Sequence, residues 1–221
     1  MDVTKAIDQR RSIRHFNTKS IEFEKIALIL ENAGKAPSSG DIKDYRFILV
    51  TDYEVIRNIA QACTEQYWIE TAPVIIVVCA DKERSESFYG DKGKNMYSIQ
   101  NAAAATQNAL LTATEQGLGS CWVGSFDDEK ISMLLKMPPH VDPQAVIALG
   151  YYDEEPSEKE LDIEHYVYFG SYGNKFSNLN LVTREYSKEI EKQLKKQKRG
   201  LDYFSDKLKK YIESIRKNKQ K

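Results

Sequence analysis

Gly117-Leu118-Gly119-Ser120-Cys121-Trp122-Val123-Gly124 (GLGSCWVG) decides how the rest of the chain reads. It closes a long helical pattern, from about Asn95 to Gln116, that holds Ala102-Ala103-Ala104-Ala105, Ala109 and Ala113. Gly117 and Gly119 stand where glycine commonly ends a helix. Cys121 to Gly124 then reads as a short strand. The dinucleotide-binding fingerprint needs the opposite order, strand first and helix after, so this stretch is not that motif. The alanines of the preceding helix imply close backbone approach, at the centre of a core or at a dimer interface.

Working outward, Ala145 to Tyr151 (AVIALGY) and Val74 to Ala80 (VIIVVCA, opened by Pro73) are apolar runs that suit strands buried on both faces. Arg46 to Val50 (RFILV) reads as a third strand. Helices are expected from Val3 to near Arg10, from about Ile26 to Lys35, from Glu54 to Cys63, and from an Asp127 N-cap to about Lys136. Ala36 to Asp41 is a cluster of turn formers and so a loop. Helices alternating with strands argue for an α+β or α/β core with helices packed on a sheet. Beyond Tyr152 come a polar loop, a short strand at Tyr166 to Tyr168, and two helices, Arg184 to Lys198 and Leu201 to Arg216, divided by Gly200. Leu201, Phe204, Leu208, Tyr211, Ile212 and Ile215 form one apolar stripe on the last of them.

The 221 residues suit one domain with an appendage, divided as 1–182 and 183–221. Hydrophobic residues make up 41% and charged residues 29%, a globular balance. The net charge of −1 gives the whole molecule no preference for nucleic acid or membrane. The charge is uneven, however: residues 183–221 carry fourteen Lys or Arg against six Asp or Glu. That tail reads either as a solvated helical face or as a site for an anionic partner. Cys63, Cys79 and Cys121 are too sparse and scattered for a zinc site or a disulfide framework, which fits a reducing compartment. No apolar stretch approaches the roughly 20 residues of a membrane span, and the N-terminus lacks a signal-peptide core. A cytoplasmic protein is expected.

Two segments carry candidate chemistry. Arg10-Arg11-Ser12-Ile13-Arg14-His15-Phe16 gathers three guanidinium groups and a hydroxyl just after a helix, a set suited to phosphate. Alone it also fits exposed or salt-bridged arginines. Ala36-Pro37-Ser38-Ser39-Gly40 is a loop of small residues able to bring N–H and hydroxyl groups to a flat polar ligand. No His/Asn or His/Asp arrangement supports Cys121 as a nucleophile, and His15, His140 and His165 are not spaced for metal. Tyr67-Trp68 and Phe88-Tyr89 read as packing residues that could also shape a substrate pocket.

Taken in order, Ala6 to Phe16, APSSG, the alanine-rich helix, GLGSCWVG and Ile147-Ala148-Leu149-Gly150-Tyr151 resemble the nitroreductase family of FMN enzymes over about residues 3–170. The resemblance implies an α+β fold with a central, mostly antiparallel sheet wrapped by helices. It also implies an interlocked homodimer with FMN at the interface. Carried over by residue, Arg10 and Ser12 are to meet the FMN phosphate or ribityl chain, with Arg11 beside them, and Arg14 the pyrimidine end of the flavin. Pro37, Ser38 and Ser39 are to come from the other subunit. Val123, Gly124 and Ser125 are to pass the flavin ring. No catalytic acid, base or nucleophile is implied, because the cofactor carries the chemistry.

Three departures qualify the resemblance. Where members show Asn and then Gln-Pro-Trp, this chain has Asp41, Lys43, Asp44 and Tyr45. Of a late Arg-Lys pair at the phosphate, only Lys159 remains, after Glu158. The basic extension beyond about Arg184 matches none of the family motifs named above. The reading is a dimeric enzyme passing hydride from NADH or NADPH through FMN to a nitroaromatic, quinone or related small acceptor. The alternatives are a flavin-destroying or dehalogenating relative, or a non-enzymatic flavin protein with a partner-binding tail.

Overall fold

The computed structural model describes residues 2–153, 165–168 and 170–174. The chain divides into two units, Met1–Ser157 and Glu158–Lys221. In the first, the helices are α1 (Val3–Gln9), α2 (Phe23–Gly34), α3 (Tyr53–Ala62), α4 (Lys82–Lys92), α5 (Ser98–Glu115) and α6 (Asp128–Leu134). The strands are β1 (Tyr45–Val50), β2 (Val74–Asp81), β3 (Gly119–Val123) and β4 (Val141–Gly150). Short 3-10 segments lie at Ser39–Asp41 and Tyr67–Thr71, and a π-turn at Gly93–Tyr97 joins α4 to α5.

The strands form one sheet in the order β1-β2-β4-β3, and every pair is antiparallel. Its two inner strands are buried on both sides, as their unbroken apolar runs require. Ile76, Val78, Ile147 and Leu149 face α2 and α5 through Ile29, Ala33, Ala109 and Ala113. Ile75, Val77, Val146 and Ala148 face α3 and α6 through Ile56, Ile59 and Ile131. Ala102, Ala105, Ala109 and Ala113 are all but fully buried, so the alanines of α5 let its backbone lie close to the sheet. This is the expected α+β architecture.

β4 starts four residues earlier than its apolar run suggests. Pro143, which has no N–H, is accommodated beside a register shift between Val78 and Cys79 and beyond the reach of the short β3, whose pairing stops at Val146. Asp127 caps α6 as expected, accepting from the Lys130 N–H at 3.1 Å.

In the second unit the strand expected at Tyr166 to Tyr168 is not formed. His165 and Tyr166 lie in helical and turn conformation. Gly170 and Gly173 take positive φ and bend the chain, and Tyr168 stacks on Tyr172 with ring centroids 4.5 Å apart. The two helices expected beyond Arg184, and Lys159, lie outside the described residues.

Candidate functional site

The segment after α1 is laid along β3. Ser12 bridges Ser120 in parallel, and the Ile13 N–H donates to the Ser120 carbonyl at 3.0 Å. Further on, the Asn17 N–H donates to the Tyr151 carbonyl at 2.8 Å. Two glycines make room for this segment. A Cβ on Gly119 would lie 3.0 Å from Ile13 Cγ1 and Cγ2, and one on Gly150 would lie 2.7 Å from Phe16 Cδ1. The glycines of the GLGSCWVG and ALGY blocks therefore serve a close approach of backbones.

This packing gathers the first group of residues. The buried Cys121 thiol is raised above its ordinary value by burial, and Arg14, Ser12 and Arg10 act in the opposite direction. Both arginines and the serine are thus close enough to β3 to act on the Cys121 thiol. Among the described residues neither Arg10 nor Arg14 is ion-paired with a carboxylate. The Arg14 guanidinium lies 5.9 Å from the centre of the Trp68 ring, a cation–π distance. The Phe16 N–H reaches Thr71 Oγ1 at 3.4 Å, which ties the Tyr67–Thr71 segment to the same corner. Ser120 Oγ is buried and makes no hydrogen bond among the described residues. Val123 is buried, whereas Gly124 and Ser125 are exposed. Arg11 differs from its neighbours: its guanidinium donates to the carbonyls of Asp8 and Arg10, at the C-terminal end of α1.

Pro37, Ser38, Ser39, Asp41 and Lys43 form the second group, in the loop before β1. The loop is tightly wound, with φ of 57° at Gly40, 57° at Asp41 and 46° at Lys43, conformations that non-glycine residues adopt only when their surroundings enforce them. Ser38 Oγ accepts from the Lys43 N–H at 2.9 Å. Lys43 Nζ pairs with Asp41 Oδ1 at 3.1 Å, and this hydrogen bond is the main cause of a raised Lys43 pKa. Ser39 is tied inward, its N–H donating to Asn101 Oδ1 at 2.9 Å. A Cβ on Gly40 would collide with the Tyr89 hydroxyl.

The two groups occupy opposite corners of the sheet. The loop enters β1, one edge strand, and the arginine segment follows β3, the other. Three strand spacings separate these edges, about 14 Å. Tyr45 is level with Ala80 and Asp142, while Ser120 is level with Leu149. The corners are therefore also offset by roughly 20 Å along the strands.

The nitroreductase family model matches residues 7–70 and 63–151. The chain belongs to the nitroreductase family. A Methanothermobacter thermautotrophicus protein with the provisional name NADH dehydrogenase/NAD(P)H nitroreductase is 36% identical over 167 residues, covering 73% of this chain and 83% of the relative. An FMN reductase (NADPH) of Bacillus subtilis is 30% identical over 154 residues, 64% of this chain and 62% of the relative. The solved structure of an FMN-dependent nitroreductase from Clostridium difficile R20291 superposes with a TM-score of 0.67 at 33% identity, covering 76% of this chain and 98% of that one.

Sequence reading missed α4 and the buried anchor of the serine loop, Asp44 with Asn101 and Ser85. The signal was there for the anchor: an asparagine, Asn101, immediately precedes the run Ala102 to Ala105.

Proposed function

We propose that this chain is an FMN-dependent oxidoreductase that takes reducing equivalents from NADH or NADPH and passes them to a nitroaromatic, quinone or related small acceptor, working as a homodimer in the cytoplasm. The observation that carries the reading is the pair of arginines, Arg10 and Arg14, on either side of Ser12 in the segment bridged to β3, with no carboxylate to neutralise them among the described residues. A phosphate monoester carries about −1.5 to −2 charge at neutral pH, which Arg10 meets with directed donors, and the flavin ring gains negative charge on reduction, which Arg14 meets.

FMN, when bound, supplies the redox chemistry, and the protein supplies binding, orientation and charge. In this reading Arg10 and Ser12 hold the phosphate and ribityl chain, with Arg11 fixing the end of α1 beside them. Arg14, steadied by Trp68, puts a fixed positive charge where negative charge develops on reduction. Gly124 and Ser125, exposed at the end of β3, let backbone amides approach the ring, with Val123 anchoring them in the core.

The diagonal separation of the two residue groups supports a shared site. Pro37, Ser38, Ser39, Asp41 and Lys43 of one chain reach the flavin held by the arginines of the other, which a two-fold dimer provides twice over. Three free, buried cysteines suit a reducing compartment. Among the described residues no helix is long and apolar enough to cross a membrane.

The purified protein is to be mixed with FMN and then titrated anaerobically with NADH and with NADPH. Tight binding, followed by bleaching of the flavin absorbance by one or both nicotinamides, is the expected result. A protein that takes up no FMN overturns the reading.

A further inference from the structure

Asp44 is completely buried in the first unit, yet it directly follows a loop with exposed charges, Asp41 and Lys43. Its Oδ1 accepts from Asn101 Nδ2 at 2.8 Å, and its Oδ2 accepts from the buried Ser85 hydroxyl. Its carbonyl accepts from the Asp81 N–H at 2.7 Å. Asn101 turns its other side to the loop, where Oδ1 accepts from the Ser39 N–H at 2.9 Å and from Ser39 Oγ at 3.4 Å. No cation is paired with Asp44 among the described residues. A buried carboxylate satisfied only by neutral donors is costly to maintain, and an apolar residue here would spare that cost.

From this chain of contacts we infer that Asp44 and Asn101 are positioning residues for the flavin loop: the Asp44 carboxylate orients the Asn101 amide, and Asn101 fixes Ser39 in the conformation that the partner's flavin meets. The inference rests on the flavin site proposed above. The orientation is determined by hydrogen-bond chemistry. With its Nδ2 directed at a carboxylate, which only accepts, Asn101 must present its oxygen to the Ser39 N–H. An amide turned the other way would oppose donor to donor at Ser39. The same link makes the left-handed geometry at Gly40, Asp41 and Lys43 affordable, since a strained turn persists only where neighbours over-determine it. Ser85 completes the frame by tying α4 to the same carboxylate.

The test compares Asn101→Ala, Asp44→Asn and Thr106→Val in the full chain. Thr106 is a buried residue of the same helix whose hydroxyl donates to the Ala102 carbonyl, so its variant reports on general weakening of α5. Two readouts are taken well below each melting temperature: amide exchange of residues 38–43 without FMN, and the FMN dissociation constant with the flavin potential and the KM and kcat for the nicotinamide. Asn101→Ala is expected to speed exchange at Ser39, weaken FMN about tenfold and shift the potential. Asp44→Asn, which keeps the shape, moves these in the same direction by less, and it decides the matter if Asn101→Ala does not fold. Thr106→Val leaves all of them unchanged. Wild-type exchange rates and FMN affinity in Asn101→Ala or Asp44→Asn would overturn the inference, as would equal losses in Thr106→Val. If the wild-type protein binds no FMN, the flavin reading fails by itself, and amide exchange still decides whether Asn101 fixes the loop.

Discussion

Ile13 and Ser120 are joined backbone to backbone, the Ile13 N–H donating to the Ser120 carbonyl at 3.0 Å. This one bond puts the residues on either side of Ile13, Ser12 and Arg14, at the edge of β3. It is possible because the adjoining glycines present no side chain to the incoming segment.

Replacing those glycines is expected to displace the arginine segment before it unfolds the sheet. In Gly150→Ala the new Cβ would lie 2.7, 2.9 and 2.9 Å from Phe16 Cδ1, Cβ and Cγ, too close for all three. Gly119→Ala meets Tyr152 Cδ1 at 2.7 Å and Ile13 at 3.0 Å. Overpacking of this kind costs about 1–3 kcal/mol. Both variants should melt earlier and bind FMN more weakly, with Gly150→Ala the worse because it strikes a Cβ next to the backbone. Thermal melts with and without FMN measure this. Wild-type FMN affinity in both would show that the glycines have no part in holding the site.

Arg10→Ala and Arg14→Ala are each expected to weaken FMN by about tenfold or more, since a hydrogen bond to a charged group contributes about 1.5–3 kcal/mol. Lysine at either position should restore only part of the affinity, because an ammonium lacks the planar fork. Riboflavin, which has no phosphate, should hardly distinguish Arg10→Ala from the wild type. Flavin fluorescence titration reads all of these affinities, and equal losses for FMN and riboflavin at Arg10 would remove the phosphate from the account.

How much of this was legible in the sequence depends on what each element relies upon. β2 and β4 announce themselves because both faces must be apolar, and α6 because Asp127 precedes it. α4 was not legible. Its sequence, Lys82 to Lys92, has no apolar stripe and includes Gly90. It forms because Asp81 caps it, accepting from the Arg84 N–H at 3.1 Å, and because Ser85 is fastened to Asp44. The cap is local, but without an apolar stripe beside it a lone Asp does not single out a helix, and the Ser85–Asp44 contact is tertiary, which no local period encodes. Likewise, the three arginines and the serine of Arg10 to Arg14 could be picked out as a set suited to phosphate, but that Arg11 turns to the carbonyls of Asp8 and Arg10 depends on geometry alone. The diagonal placement of the serine loop followed from strand order, which spacing along the chain does not reveal.

That diagonal makes a prediction about mixed dimers. A chain with Arg14→Ala lacks one half of the site, and a chain with Ser39→Pro, which removes the N–H given to Asn101, lacks the other. Each homodimer should be nearly inactive. Unfolded together and refolded, half of the dimers should contain one of each chain, and each such dimer regains one intact site. About one quarter of wild-type activity should return. No recovery, in a sample that mass spectrometry shows to contain heterodimers, would mean that one chain builds the whole site.

The buried thiols set the response to alkali. Burial pushes Cys63 up to about 12 from 9.0; burial, with a smaller contribution from the Asp142 charge, does the same for Cys79. In the unfolded chain both ionise near the ordinary value, so between about pH 9 and 12 the folded state holds protons that the unfolded state has released. Their contribution is complete below pH 9 and is lost as pH rises through that window, at no more than about 1.4 kcal/mol per pH unit for each thiol. Urea midpoints measured from pH 7 to 11 should be flat to about 9 and then fall. Cys63→Ala and Cys79→Ala combined should flatten the alkaline arm, whatever the double change does to stability at pH 7, because the protons in question are gone. An alkaline arm of unchanged slope in the double variant would assign the loss to other groups, with Tyr45, whose pKa burial also raises, the first to examine.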